Sequence, residues 1–144
     1  MELLICKALL WIFGFSVAEN YNKTLDSMFL VQPESDILLE LESCSSDSDA
    51  TFDVLHRYWM YECKEFSVDT FGMCLLENLK TAYQANIFSL EEFGRKCYSL
   101  WQTLPDELQS TDPFHVLCYA DDPLSWSDEA QTREIYEELF DFYM

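Results

Sequence analysis

Apolar side chains recur every three or four residues along most of this chain, which is the spacing of one face of an α-helix. The run of Phe93, Cys97, Leu100, Trp101 and Leu104 is a clear example. The chain has only three glycines and four prolines, too few for the many tight turns of an all-β domain. The sequence therefore predicts an all-α fold.

The amino-terminal segment is apolar apart from Lys7 and Ser16, and we expect it to form a helix from Glu2 to about Val17. A signal peptide is the alternative, because the small residues at 16–18 resemble a cleavage site. The early acidic residue, the lysine inside the apolar run and the short length of that run favour a buried core helix.

Local capping signals place several other helix boundaries. Pro33 fits the first position of a third helix, and Ser89 with Glu92 forms a capping box. Ser125-x-x-Asp128 introduces a terminal helix whose predicted core face is Ala130, Tyr136, Leu139, Phe140 and Tyr143. No strand, repeat or long linker is predicted. We therefore expect one domain, residues 1–144, in which about seven helices surround the amino-terminal helix.

The six cysteines are predicted to be reduced. No two of them form a C-x-x-C pair, so neither zinc binding nor disulfide exchange is indicated. Cys63, Cys74 and Cys97 fall on the apolar faces of predicted helices. Buried reduced thiols are typical of a cytoplasmic protein, which is the localisation we expect.

Acidic side chains are concentrated in two stretches of a chain whose net charge is −19. Residues 24–55 contain eight acids and no lysine or arginine, and residues 106–144 contain eleven acids against Arg133 alone. Such a field repels nucleic acid and anionic membranes and attracts basic proteins. We therefore expect a basic protein partner, with no nucleic acid and no membrane.

No local motif indicates catalysis, a cofactor or a metal ion. His56 and His115 lie far apart in the sequence, and neither belongs to a triad-like or metal-binding motif. Asp47-x-Asp49 lacks the glycine and the closing glutamate of a calcium loop. The three glycines are isolated, so no phosphate-binding loop is predicted. The sequence predicts a non-enzymatic protein without a cofactor or metal.

The predicted partner-binding surface lies on one or both acidic stretches. Aromatic residues off the apolar stripes, including Phe142, are expected to be exposed beside carboxylates, which is the composition of a binding hot spot. The predicted binding residues of the first stretch and its flank are Glu40, Glu42, Asp47, Asp49, Asp53, Tyr58 and Tyr61. Those of the second stretch are Asp121, Asp122, Trp126, Glu134, Glu137, Glu138 and Asp141.

Two acidic segments suggest a class of protein. They are residues 33–42, PESDILLELE, and the segment that begins with YADDPLS at 119–125 and continues to Tyr143. The chain resembles the small acidic immunity proteins that bacteria make against polymorphic or contact-dependent toxins. The resemblance implies binding to a basic toxin domain, often a nuclease, whose active cleft is covered by carboxylates, and it carries over no functional residue. A DNA-mimic antagonist of a nucleic-acid-binding enzyme and an enzyme with dispersed catalytic residues are the alternatives.

Overall fold

The computed structural model describes all 144 residues, which form helices and no strand. Its eight α-helices are α1 Glu2–Ile12, α2 Ala18–Val31, α3 Asp36–Ser43, α4 Ser48–Arg57, α5 Val68–Gln84, α6 Leu90–Gln102, α7 Asp106–Gln109 and α8 Glu129–Phe140. A π-helical turn, Tyr58–Glu62, follows α4, and two 3₁₀ segments, Phe114–Cys118 and Asp122–Trp126, lie between α7 and α8. The all-α prediction is confirmed.

The chain is organised in two compact units, Met1–Phe71 and Gly72–Met144. The division falls within α5. The expectation that all 144 residues form a single domain stays a prediction.

In the first unit, α1 is the buried centre and packs against α2 and α4. Leu4, Cys6 and Leu10 are fully buried, so the expectation of a core helix is confirmed. The helix ends at Ile12 and not near Val17 as predicted. The reason is Gly14, whose φ of 81° lies in the left-handed region and ends the helix as a glycine readily does.

Capping side chains decide where α3 and α4 begin. The Ser35 Oγ accepts a hydrogen bond from the Leu38 backbone N–H, and α3 therefore begins at Asp36. The prediction that Pro33 occupies the first helical position is wrong, because this serine caps the helix two residues later. The Asp47 carboxylate caps α4 in the same way.

Aromatic rings fill the core of the second unit. Tyr83 of α5 lies with its ring centroid 5.5 Å from Phe93 of α6 and 5.4 Å from Phe140 of α8. Phe93 also makes an edge-to-face contact with Tyr136 of α8 at 5.0 Å. These contacts join three helices around one cluster, as aromatic pairs commonly do in cores.

Capping side chains also set the helix starts in the second unit, and one of the two predicted caps is correct. The Ser89 Oγ accepts from the Glu92 N–H at 3.1 Å, which confirms the predicted start of α6. The predicted start of the terminal helix at Ser125 is wrong, because Ser125 belongs to a 3₁₀ segment. Asp128 caps α8 instead, by accepting from the Gln131 N–H at 3.0 Å, and the helix begins at Glu129.

Tyr136, Leu139 and Phe140 of α8 are buried as predicted, but Ala130 is exposed. Thr132 is buried in its place, because Thr132 and not Ala130 lies one helical turn before Tyr136.

No disulfide joins any of the six cysteines. Cys74 and Cys97 are buried on helices, as predicted. Cys63 is half-buried and lies just beyond the π-helical turn, so its predicted helical position is wrong. None of the helices combines the length and apolar character that crossing a membrane requires.

Candidate functional site

Glu40 on α3 forms an ion pair with Arg57 of α4. The Arg57 Nη2 lies 2.6 Å from Oε2 and 2.8 Å from Oε1 of Glu40, and the Arg57 Nε lies 3.8 Å from a Glu62 oxygen. The Glu40 carboxylate raises the pKa of Arg57. The charge of Glu40 is therefore already matched within the first unit.

Glu42 lies beside another acid and not beside a base. It is half-buried, and burial is the largest cause of its raised pKa, followed by a hydrogen bond and charge repulsion from Asp26. Both effects disfavour the charged form. Glu42 is therefore expected to attract a basic partner less strongly than an exposed carboxylate does.

The acids at the start of α4 have local structural roles. Asp47 Oδ1 accepts from the backbone N–H groups of Asp49 and Ala50, both at 3.1 Å. Asp49 lies in the first turn, where a negative charge is favourable to the helix dipole. Asp53 is exposed one turn further along the same face.

The two tyrosines predicted on the flank of the first stretch belong to the π-helical turn. Tyr61 is 85% exposed, whereas Tyr58 is half-buried and burial raises its pKa. The buried residue of this turn is Trp59, which contacts Phe66 at 5.3 Å and Phe71 at 5.2 Å. The expected exposure is thus confirmed for Tyr61 and is wrong for Tyr58.

In the second unit, Asp121 packs against α6. A Cβ at Gly94 would lie 2.6 Å from the Asp121 Cβ and 3.0 Å from its Oδ2. Burial raises the pKa of Asp121. Asp122 is exposed at the start of a 3₁₀ segment, and Trp126 is 61% exposed at its end.

The remaining predicted acids share one side of α8. Glu134, Glu137, Glu138 and Asp141 have the spacing i, i+3, i+4 and i+7, and all four are exposed. The opposite side carries the buried residues Thr132, Tyr136 and Leu139. We call these four acids the α8 acidic face.

No ion pair neutralises the α8 acidic face. Arg133, the one base of the second acidic stretch, donates instead to Glu129 one turn towards the amino terminus, with an Nη2 to Oε1 distance of 2.8 Å. The last turn of α8 contains no basic residue. The structure thus brings four of the predicted acids together, and none of them is in an ion pair.

The sequence matches no protein-family model, and comparisons with curated proteins and with solved structures find no match.

Metal-binding groups and a cysteine beside a histidine are two other kinds of chemically reactive site. No three or more His, Cys, Asp and Glu residues are arranged to hold a metal ion. The Cys118 Sγ lies 3.7 Å from the His115 Nδ1. However, burial and then Asp122 raise the pKa of Cys118, which favours the thiol over the nucleophilic thiolate.

A small pocket lies between Tyr83, Asn86, Phe88 and Arg133. Its volume of about 20 Å³ admits little more than one water molecule. The Arg133 guanidinium at this pocket is engaged by Glu129. We assign no ligand to it.

Sequence reasoning missed two glycines that shape the second unit. Asp121 packs closely against Gly94, and the ring of Tyr143 packs closely against Gly72 of α5. The available signal was a glycine inside a helical pattern, which often marks a close approach when it occurs away from a helix end. That signal identifies the position but not the residue that approaches it.

Proposed function

We propose that this is a non-enzymatic acidic binding protein that neutralises a basic protein partner through the α8 acidic face. The observation that supports the proposal is the arrangement of Glu134, Glu137, Glu138 and Asp141 on one exposed side of the helix, where none of them forms an ion pair. A surface of this kind is complementary to a cluster of lysine and arginine side chains.

Folding gives no reason to place these acids where they are. Glu137 and Glu138 lie in the last turn of α8 and Asp141 caps it, where the unpaired backbone carbonyls make negative charge unfavourable. Like charges three and four residues apart also repel each other. A feature that opposes folding is better explained by a role in binding.

The first acidic stretch is the weaker candidate for the same interaction. Glu40 is paired with Arg57, Asp47 caps α4, and Asp49 stabilises the first turn of that helix. These acids contribute to the folded state, so their presence needs no partner. This difference between the first acidic stretch and the α8 acidic face favours the α8 acidic face as the binding surface.

A nucleic-acid-cleaving enzyme is the class of partner that we propose, in keeping with the resemblance to immunity proteins. The clefts of such enzymes are lined by lysine and arginine because they bind phosphates. A row of carboxylates could occupy such a cleft and exclude the nucleic acid. The charge complementarity supports this proposal.

The test compares two variants that remove the same number of charges. One replaces the α8 acidic face, as E134Q/E137Q/E138Q/D141N, and the control replaces four exposed acids from the balanced part of the chain, as E65Q/D69N/E77Q/E91Q. Each tagged protein is used to capture basic proteins from its source cells, and the partner is identified by mass spectrometry.

The wild type and the control variant are expected to retain one basic partner that the α8 variant loses. With that partner purified, the association rate should fall steeply with added salt while the dissociation rate changes less. The partner's nuclease activity should be inhibited by the wild type. Equal retention by all three proteins would show that the α8 acidic face is not the binding surface.

A further inference from the structure

The carboxy-terminal residues are held by a contact between Tyr143 and Gly72 of α5. The Tyr143 ring occupies the space above this glycine, so closely that a Cβ at position 72 would collide with the Tyr143 hydroxyl and lie 2.7 Å from Cζ. Gly72 is buried in the interior of α5, where glycine is less favourable than alanine. The docking of Tyr143 gives a reason for a glycine at this position.

The backbone beyond α8 is also ordered by turns. The Phe142 N–H donates to the Leu139 carbonyl, and the Met144 N–H donates to the Asp141 carbonyl, both at 3.1 Å. Residues 141–144 therefore form a strap and not a free tail. The strap continues directly from the α8 acidic face, which ends with Asp141.

Phe142 has the opposite environment to Tyr143. Its side chain is 50% exposed, although its ring meets the Tyr143 ring edge to face at a centroid distance of 4.9 Å and an interplanar angle of 83°. Tyr143 thus holds the ring of Phe142 at the surface, next to Asp141 in the chain. A large apolar side chain held at the surface in this way is a candidate hot spot.

We propose that Phe142 is the aromatic anchor of the α8 surface and that it stacks on an arginine side chain of the basic partner, held in place by the Tyr143–Gly72 contact. This inference rests on the proposed function and names the group that the surface recognises. A guanidinium stacks on an aromatic face and pairs with carboxylates at its edge, and it does so better than a lysine ammonium. Phe142 supplies the face, and Asp141 with Glu138 supplies the carboxylates.

The inference predicts a preference for arginine over lysine, and short peptides measure it directly. The probes are a capped synthetic peptide of alternating arginine and alanine and its lysine analogue, each titrated into the ¹⁵N-labelled full chain. Both peptides should shift the amide signals of residues 134–144. The arginine peptide should bind about two- to five-fold more tightly, which is the range of an exposed cation–π contact.

Four variants separate the contributions of the Phe142 ring, its support by Tyr143 and the charge of the α8 acidic face. Phe142→Ala should abolish the preference while both peptides still bind. Gly72→Ala should reduce it by displacing Tyr143, and Tyr143→Ala provides the same test should Gly72→Ala fold poorly. The α8 variant E134Q/E137Q/E138Q/D141N should lose binding of both peptides.

The outcomes distinguish the two proposals. If both peptides bind residues 134–144 equally well, or if Phe142→Ala leaves the preference intact, the anchor is wrong and the proposed function stands. If neither peptide shifts residues 134–144, or if both act on another surface such as Asp49 and Asp53, the proposed binding surface fails together with its anchor.

Discussion

The Asp121 side chain lies directly against the backbone of Gly94, and a Cβ at position 94 would be only 2.6 Å from the Asp121 Cβ. Asp121, which directly precedes the second 3₁₀ segment, is thereby packed onto α6, whose Gly94 is buried. Such a close approach requires a residue without a side chain.

Gly94→Ala is expected to destabilise the protein by about 1–3 kcal/mol, the usual cost of overpacking a tight contact. In an open helix the same substitution would stabilise, because alanine is the better helix former. Urea denaturation measures the change. Asp121→Gly should recover most of the loss in the double variant, and a stabilising effect of Gly94→Ala alone would contradict the contact.

The half-buried Asp121 is expected to make stability depend on pH. Burial raises its folded-state pKa above the ordinary value of 3.8, so the folded state favours the protonated acid. The stabilisation is complete below that ordinary value and is lost as the pH rises through the raised pKa. The melting temperature of Asp121→Asn relative to wild type should therefore increase between about pH 3 and about pH 7. Exposed Asp106→Asn is the control, and equal pH dependence of the two variants would contradict the assignment.

Neutralising the end of α8 is expected to stabilise the free protein. E137Q/E138Q/D141N removes like-charge repulsion and an unfavourable interaction with the helix carboxy terminus, together worth about 1 kcal/mol. The matched variant D69N/E77Q/E91Q should not stabilise, because Asp69 and Glu91 lie in the first turns of their helices. Thermal unfolding at low salt compares them. Destabilisation by the α8 substitutions would show that these acids serve folding, against the proposed binding role.

The cap of α4 is expected to contribute to stability. Asp47→Ala removes the acceptor for two backbone N–H groups and should cost about 1 kcal/mol, whereas Asp47→Asn keeps an acceptor and should cost less. Asp53→Asn, which removes the same charge from an exposed site on the same helix, should stay within about 0.5 kcal/mol of wild type. Urea midpoints measure all three, and equal losses for Asp47→Ala and Asp53→Asn would mean that charge and not capping matters.

The thiols are expected to react in two groups. Cys44, Cys63 and Cys118 are half-buried and should react with a thiol reagent in the folded protein, and Cys118 should react slowly because its raised pKa favours the thiol. Cys6, Cys74 and Cys97 are buried, and burial strongly raises the pKa of Cys97, so these three should react only after unfolding. Titration in denaturant without reductant should find all six. Finding fewer would indicate disulfides.

Helical periodicity and capping residues were sufficient to predict the all-α fold, because both are local properties of the chain. Ser89 begins α6 as its motif indicates. Pro33 and the end of α1 were placed wrongly, since a competing cap at Ser35 and the left-handed conformation of Gly14 decided those boundaries. The π-helical turn at Tyr58–Glu62 was not predictable, because a sequence pattern does not distinguish one extra residue in a helical turn from the ordinary period.

The sequence by itself determined the charge of this protein and its division into two acidic stretches, because composition and order are independent of folding. Only the tertiary structure decided which acids remain available for a partner. Glu40 is compensated by Arg57, seventeen residues away, and Asp121 is packed against Gly94. The α8 acidic face stays without an ion pair because α8 packs through Tyr136 and Leu139 on its opposite side and Arg133 pairs with Glu129. Such pairings depend on which helices pack together, and that is set by contacts between residues distant in the chain.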